Sequence, residues 1–320
     1  MNFLTLQQRV FRHTGYADAP VAAVSTRVQQ LLNEWHRRLL SLPGMEQLRD
    51  DTITFASVAS TARYALPQVV GEVKTIFETT NDIKLEQRTM AWYRTADPDP
   101  QSGTSYIWIP RGLFPVASQP GTTGVWVVSS SGSDTTQTAN IIGIRTGGYL
   151  NEPAVATLNG TTRVAVGTLT DYIEIVEFNI SAVGVGTISL YDAAAAGTEL
   201  ARIPIGATAA QYLHVVLYPT PSSVITYSVD YKRRILDMGR DTDVPLLPED
   251  FHYLLSTAVL MEEMKLKDDS RWRIYDGELR EGIKNLYHAV QIPADYLPVP
   301  GQFDTPSISN LGPWYPKGRW

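Results

Sequence analysis

The stretch LYPTPSSVITYSVDYKRR, residues 217–234, decides how the last third of the chain folds. Apolar and polar side chains alternate from Ile225 to Tyr231, which predicts a half-buried β-strand. Two prolines mark a turn before this strand, and the basic run Lys232–Arg234 closes it. Because no residue here has the spacing of a catalytic motif, the stretch indicates a structural role.

Two helices are predicted after this strand and a polar loop over residues 237–248. Pro248 suits the start of the first helix, and the acidic pair Glu249–Asp250 suits its positive end. Apolar residues recur every three or four positions, which predicts two amphipathic helices. The first apolar arc comprises Phe251, Leu254, Leu255, Ala258, Val259, Met261 and Leu266, and the second comprises Trp272, Tyr275, Leu279, Ile283, Leu286 and Val290.

The chain also begins with two predicted helices. Leu6, Val10 and Phe11 lie close together on the first helix, which Gly15 ends. The second helix ends at Pro43-Gly44. Its apolar stripe comprises Val21, Val24, Val28, Leu31, Leu32, Trp35 and Leu39.

The segment between the two helix pairs is predicted to be β-structure. Short strands are expected at residues 52–58, 64–67, 73–78 and 106–109, whereas 82–93 suits a helix or a strand. From about Val116 to Leu213 charged residues nearly vanish, and seven or eight short strands alternate with turn-rich segments. This spacing predicts a β-sandwich. Its expected core comprises Ile173, Ile175, Phe178, Ile188, Leu190, Leu200 and Ile203.

The composition limits the classes of protein to which the chain can belong. The length of 320 residues suits one large or two ordinary domains, and 43% hydrophobic residues suit a folded chain. The net charge of −6 argues against a strongly basic DNA-binding face. The chain has no cysteine and five scattered histidines, so we predict neither a metal nor a cofactor. The sequence has no signal-peptide pattern and no membrane-spanning apolar run, so we expect synthesis in the bacterial cytoplasm.

Several short stretches of the chain match, in this order, the motifs of one protein family. Leu85-Glu86 followed by Gly103–Tyr106 resembles the family's L-E … G-T-P-x-Y stretch, with Ser105 where proline is usual. Leu217–Pro221 matches the family's L-Y-P-T-P strand entry. The family-motif positions in this half of the resemblance are Tyr218, Pro219 and Pro221.

The resemblance continues towards the C-terminal helices. Tyr231–Arg234 resembles the family's Y-Y-R-R-P stretch, although Ile235 replaces the proline. Pro245–His252 and the helix after it match best, and they contribute the family-motif positions Pro245, Pro248 and His252. In these motifs the chain resembles the adaptor proteins of tailed bacteriophages. The resemblance covers about two thirds of the chain, and residues 116–212 are what the smaller members of this family lack.

The resemblance implies an α+β fold. Residues 1–115 and 213–290 would form a discontinuous adaptor core, with an N-terminal helix pair, a small β-meander and two C-terminal helices. Residues 116–212 would form an inserted immunoglobulin-like β-sandwich. An insertion is well tolerated at a hairpin tip, where the two ends of the inserted domain can lie close together. The strands around Tyr106 and Leu217 would then be neighbours. Residues 291–320 would form an extended C-terminal arm.

The resemblance also implies a structural, non-enzymatic function. The chain would form a ring, dodecameric by family analogy, below the portal protein of the virion. Its partners would be the portal, neighbouring copies of itself and downstream tail or nozzle proteins. Genomic DNA would pass through the ring channel without sequence-specific binding, and no membrane would be involved.

Candidate contact residues follow from this interpretation. The run Lys232, Arg233 and Arg234 would face either channel DNA or, as we favour, acidic residues of the next subunit. The arm carries Phe303, Trp314, Tyr315 and Trp320, and docking into a neighbouring groove is favoured over disorder. Four loop carboxylates could bind a cation, although solvation and helix capping are favoured. They are Asp241, Asp243, Glu249 and Asp250.

Two other classes of function stay open at this point. The inserted sandwich could recognise a bacterial glycan or host surface through aromatic side chains, although core or turn packing is favoured for them. These side chains are Trp126, Tyr149, Tyr172, Tyr191 and Tyr212. A cell-wall hydrolase with two catalytic carboxylates also stays open, because such a pair requires no sequence spacing.

Overall fold

The computed structural model describes residues 1–16, 20–96, 101–151, 153–168 and 170–290. This part of the chain is a mixed α+β fold, which confirms the predicted class at that level. The helices are α1 (Phe3–Thr14), α2 (Ala22–Leu40), α3 (Met90–Ala96), α4 (Tyr253–Leu266) and α5 (Trp272–Val290).

The strands fall into three groups along the chain. The first group is β1 (Asp50–Ala56), β2 (Arg63–Ala65), β3 (Val70–Glu78), β4 (Ile83–Lys84), β5 (Glu86–Gln87), β6 (Ser102–Gly103) and β7 (Ile107–Phe114). The second is β8 (Trp126–Ser129), β9 (Thr138–Arg145), β10 (Ala154–Thr157), β11 (Val164–Ala165), β12 (Tyr172–Ile180), β13 (Ile188–Tyr191) and β14 (Glu199–Ile203). The third is β15 (Tyr212–Tyr218), β16 (Thr220–Pro221) and β17 (Thr226–Arg233).

The two ends of the chain form one helical bundle, in which α1, α2 and α5 all contact α4. Asn2 caps the N-terminus of helix α1, and its side chain accepts a hydrogen bond from the Thr5 N–H. It ends at Gly15, whose φ of 74° is left-handed, as the sequence predicts. The central core side chains include Leu6, Val10, Leu32, Leu39, Leu254, Leu255, Val259, Leu279 and Leu286.

Helix α4 is not amphipathic, and that prediction is wrong. Every side chain from Leu254 to Met264 except Glu262 is buried, because α4 lies between the other three helices of the bundle. Leu266, expected on the apolar arc, is 67% exposed at the end of the helix.

Strands of the first and third groups form a sandwich, which we call the first sandwich. One sheet has the order β1-β17-β3-β4, and the other has the order β2-β15-β7-β5. The predicted small meander is therefore corrected: most neighbouring strands are not consecutive in the chain. The core between the two sheets includes Val73, Ile76, Trp108, Val215, Leu217, Tyr227, Val229 and Tyr231.

Strands β7 and β15 are antiparallel neighbours, as predicted, with Trp108 opposite Leu217. The second group of strands leaves the first sandwich after β7 and returns to it at β15. The boundary between the two hydrophobic cores also falls at the ends of β7 and β15. Val116 and Tyr212 pack in the core of the second group, and Leu213 packs against that of the first sandwich.

The second group forms a separate sandwich, which we call the insert. Its sheets have the orders β10-β9-β12 and β11-β8-β13-β14. The immunoglobulin order would place the first, second, fourth and fifth strands in one sheet. Here the second, third and fifth strands share a sheet, because β9 and β10 pair as a local hairpin. The insert is thus an all-β sandwich, as predicted, but its strand order differs from that of the immunoglobulin fold.

The core of the insert departs from simple alternation at one strand. Ile175 and Phe178 of β12 are buried, as predicted, whereas Ile173 is 44% exposed. The reason is a pair of register shifts against β9, which fall between Tyr172 and Glu174 and between Ile175 and Glu177. Each bulge adds a residue and moves the following side chains to the other face.

Candidate functional site

Three stretches that carry the adaptor resemblance meet at one place on the first sandwich. The Glu86 N–H donates to the Tyr106 carbonyl (2.9 Å), and the Tyr106 N–H donates to the Tyr218 carbonyl (3.1 Å). The Ser105 hydroxyl donates to the Pro219 carbonyl (2.6 Å), so serine forms a contact here that proline could not. Strands β6 and β16 pair in parallel beside them.

An aromatic cluster surrounds Tyr218 on the face of the sheet covered by α3. The ring of Tyr218 meets Trp92, Tyr93 and Tyr106 edge-on, with centroid distances of 5.6, 5.9 and 6.3 Å. Tyr106 is 53% exposed, so the cluster reaches the surface. Pro221 is buried beside it, and Pro219 is half-buried.

The polar loop before α4 is clamped onto α2. The Asn33 side chain accepts from the Met238 N–H (2.8 Å) and donates to its carbonyl (3.1 Å). The Nε2 of His36 accepts from the Leu246 N–H (3.1 Å). Burial lowers the pKa of His36 to about 4, so the ring is neutral at pH 7. The clamp joins residues about two hundred positions apart in the chain.

The predicted position His252 joins the same loop to the start of the chain. Its Nε2 lies 2.8 Å from the Leu247 carbonyl, and its Nδ1 lies 2.8 Å from the Met1 ammonium nitrogen. These two partners favour a ring protonated on Nε2, with Nδ1 as acceptor. Pro245 is buried and Pro248 is half-buried. These motif positions therefore fix the loop rather than form a binding pocket.

The basic run after β17 binds acceptors of its own chain. The pairs are Lys232 Nζ with Glu46 Oε2 (2.6 Å), Arg233 Nε with Asp51 Oδ2 (3.8 Å) and Arg234 Nη1 with the Gln211 carbonyl (3.2 Å). Burial lowers the pKa of Arg234. A role of these residues in the ring or the channel stays a prediction.

The loop carboxylates do not converge on a cation site. The Asp243 carboxylate accepts from the N–H groups of Gly239 and Arg240, each at 2.8 Å. Asp241, Glu249 and Asp250 are exposed. Within the ranges the structure describes, no group of three or more His, Asp or Glu residues is arranged to hold a metal ion.

The five aromatic residues proposed for a sugar-binding face do not share one face. Tyr172 and Tyr212 are buried in the core of the insert, and Tyr149 is 75% exposed in the loop after β9. Trp126 and Tyr191 are opposite each other on neighbouring strands and are half-buried. Only this last pair forms part of a common surface.

The junction between the first sandwich and the insert depends on a histidine that sequence reasoning missed. The Nε2 of His214 lies 2.8 Å from the Val116 carbonyl, and its Nδ1 accepts from Arg63 Nε (2.7 Å). Burial lowers the pKa of His214 to about 4; the Val116 carbonyl opposes the shift, and Arg63 and Arg111 add to it. The only sequence signal is one polar residue within the apolar strand YLHVVLY.

A buried carboxylate in the bundle was also missed. Glu263 of α4 is 0% exposed and accepts from Arg27 Nε (2.7 Å) and from the Tyr16 hydroxyl (3.0 Å). Its hydrogen bond and charge raise the pKa of Arg27 against the opposing effect of burial. The pair joins α2 to α4. A glutamate among apolar residues in α4 was the available signal.

A second missed carboxylate lies in the insert. Asp134 accepts hydrogen bonds from the Ser129 hydroxyl, the Val185 N–H and the Gly186 N–H. Burial raises its pKa, but these hydrogen bonds outweigh that effect and lower it. The backbone of Gly184-Val185-Gly186 thus binds a carboxylate of the same chain. Glycine is required at both ends of this run, because a Cβ there would lie too close to neighbouring atoms of the loop.

Some predicted residues lie outside the described part of the chain. These are the arm residues Phe303, Trp314, Tyr315 and Trp320, with the whole segment 291–320. No helix in the described ranges is long and apolar enough to cross a membrane.

The chain matches no protein-family model, and no curated protein is significantly similar to it in sequence.

Proposed function

We propose that the chain is a head-to-tail adaptor of a tailed bacteriophage. Twelve copies, by family analogy, would form a ring below the portal protein and join the capsid to the tail around the DNA channel. The helical bundle and the first sandwich would form the body of the ring. The insert would project from it, because it leaves and re-enters at one end of the β7–β15 pair.

The observation that supports this proposal most is the convergence of the resembling stretches. Chance matches over separate segments would be scattered over a fold. Here Glu86, Tyr106 and Tyr218 are linked by successive backbone hydrogen bonds. The last matching stretch, Pro245–His252, is tied to α2 and to the chain start. The resembling segments thus hold the two ends of the adaptor core in place.

The acidic composition is compatible with this function. Affinity for DNA comes mainly from Lys and Arg that neutralise phosphates, and the net charge here is −6. A channel with few free basic groups would let DNA slide. The basic side chain of Lys232 already pairs with Glu46 and Glu72 of its own chain.

Immunogold electron microscopy of intact virions would test the assignment. An antibody against the insert should label the junction between head and tail, and an antibody against the major capsid protein serves as the control. Label distributed over the head surface or along the tail would contradict the proposal. Virions that lack the chain should contain filled heads without attached tails.

A second candidate function is a module for a bacterial glycan or host surface, carried on the insert. One observation favours it: the half-buried pair Trp126 and Tyr191 lies on the outer face of the four-stranded sheet. The bidentate ion pair Glu199–Arg202 and a groove of about 380 Å³ adjoin this face. Aromatic rings beside paired polar groups suit sugars.

Deletion of residues 116–212 separates the two candidates. If the insert is a host-recognition module, the shortened chain should still assemble with the portal, but the particles should no longer bind cells. A Trp126→Ala variant should reproduce that loss, with the exposed Tyr149→Ala as its matched control. Unchanged cell binding in the deletion variant and in Trp126→Ala would remove this candidate.

A further inference from the structure

The outer face of the three-stranded sheet of the insert carries a group of exposed and half-buried aliphatic side chains, which we call the aliphatic patch. Ala139, Ile141 and Gly143 of β9 face the core, so the alternate residues of this strand face outward. Leu150 pairs with Ile144 through an isolated bridge. The patch comprises Ile142, Ile144, Leu150, Val155, Ile173 and Val176.

Two β-bulges extend this patch. Ile173 and Val176 are the extra residues at the two register shifts of β12 and are 44% and 47% exposed. Leu150 and Val155 are 63% and 50% exposed. Contiguous exposed apolar surface on a folded protein usually marks an interaction site. Bulges that place additional aliphatic side chains in solvent point the same way.

The partner would dock on the face of this sheet rather than on its β12 edge. The N–H of Ile175 already donates to the Gln119 side chain (2.7 Å). The N–H groups of Tyr172 and Ile180 donate to the Thr123 and Thr208 carbonyls. Strand addition along β12 is therefore blocked by the chain's own segments.

The rim of the aliphatic patch is acidic. Glu174 and Glu177 of β12 lie opposite Ile144 and Ile142 of β9. The cation on this sheet, Arg145, is already paired with Asp171 at 2.8 Å. A complementary partner would combine large apolar side chains with positive charge.

We propose that the aliphatic patch binds the end of the C-terminal arm of a second copy. Residues 313–320 read PWYPKGRW, which combine three aromatic rings, two cations and no acid. The arm of 30 residues after Val290 can span up to about 100 Å when extended, enough to reach a neighbouring molecule. Aromatic anchors would cover the aliphatic side chains while Lys317 and Arg319 meet the acidic rim.

This inference rests on the proposed ring only in that a neighbouring copy supplies the arm. The absence of cysteine allows a direct test with the full chain. A Val176→Cys chain is mixed at high concentration with a Gly318→Cys chain, so that a contact too weak to change the monomer mass in dilute solution is still captured. The mixture is treated with a short bismaleimide cross-linker. Val183→Cys is the matched control, since Val183 lies in the loop after β12 and is 49% exposed, and Val176 is 47% exposed.

The expected result is at least about tenfold more mixed dimer from Val176→Cys than from Val183→Cys, because docking raises the local thiol concentration. Adding Val155→Asp to the Val176→Cys chain should remove the excess, and circular dichroism confirms that this exposed substitution leaves the fold intact. Equal yields with both cysteines overturn the proposal. Cross-links only between two Val176→Cys chains overturn it as well.

Charge provides an independent check. Replacing both Glu174 and Glu177 with Gln, or raising the salt concentration, should lower the yield of mixed dimer several-fold. An unchanged yield would remove the acidic rim from the proposal. Portal binding is measured separately, so a failed ring and a failed arm contact give different results.

Discussion

The helical bundle and the insert hold their buried carboxylates in opposite ways. In the bundle, Glu263 binds Arg27 and Tyr16, which are 236 and 247 residues away in sequence. In the insert, the partners of the Asp134 carboxylate lie 3 to 52 residues away, all within the same sandwich. The bundle therefore depends on both ends of the chain, whereas the insert is stabilised by its own residues.

This difference explains how the chain can carry an added domain. An insert whose buried carboxylate is held by its own residues can change without disturbing the bundle formed by the two ends of the chain. The two regions should then lose structure separately. Hydrogen exchange measured by mass spectrometry reports the free energy of opening for each region, and it provides the readout for the predictions that follow.

The largest effect is expected in the core of the insert. Ile175→Ala should lower the opening free energy of β9 and β12 by about 2–5 kcal/mol, because Ile175 is 0% exposed and its loss leaves a cavity. Val176→Ala, its exposed neighbour, should change it by less than about 0.5 kcal/mol. Peptides from α2 and α4 should exchange as before. Equal destabilisation of the bundle would show that the bundle and the insert do not lose structure separately.

The next largest effect is expected in the bundle. Arg27→Ala leaves the fully buried Glu263 without its cation, which should cost α2 and α4 about 2–3 kcal/mol. Arg38→Ala removes an exposed pair with Glu34 and should cost less than about 0.5 kcal/mol. Insert peptides should not respond to either change. A loss spread over the insert would show that the regions are coupled.

A smaller effect is expected at Asp134. Asp134→Asn replaces one acceptor oxygen with a donor that faces backbone N–H groups, at a cost of about 1–3 kcal/mol confined to the insert. Because the pKa of Asp134 is lowered, its contribution is present above pH 4 and is lost as the pH falls below its folded value. The Asn variant should show less acid destabilisation of the insert than the wild type. The same acid profile in both proteins would contradict this role.

The smallest effect concerns the two buried histidines. Burial is the main cause that lowers the pKa of His36 and His214 to about 4, so the unfolded chain takes up protons more readily below pH 6.5. Stability is therefore complete above pH 6.5 and falls as the pH drops towards 4, by about 1–2 kcal/mol per histidine at pH 5. His214→Gln should flatten this dependence in β15 peptides and leave that of α2 intact. A pH dependence that is unchanged in β15 would contradict the assignment.

Local patterns predicted the parts of the fold that depend on neighbouring residues. The apolar stripes located α1, α2 and α5. The pairing of the strands at Tyr106 and Leu217 was implied by the adaptor resemblance and not by a local pattern. The local patterns failed where contacts with distant segments determine which side chains are buried. The bulges that expose Ile173 depend on β9, and the complete burial of α4 depends on three other helices.

The candidate site was predictable only in part. The motif positions Tyr218 and His252 were identified from sequence, but the contacts that unite them with other segments were not. The Arg63–His214 contact joins residues 151 positions apart, which no spacing rule can reveal. The arm lies outside the described residues, so its docking stays a prediction.

Light scattering on the purified chain, alone and mixed with the portal protein of the same phage, tests the adaptor assignment most directly. The predicted result is a monomer that forms one large, defined complex only with the portal, and that does so more weakly when residues 291–320 are deleted. Failure to associate with the portal at any salt concentration would contradict the adaptor function and favour the glycan-binding module.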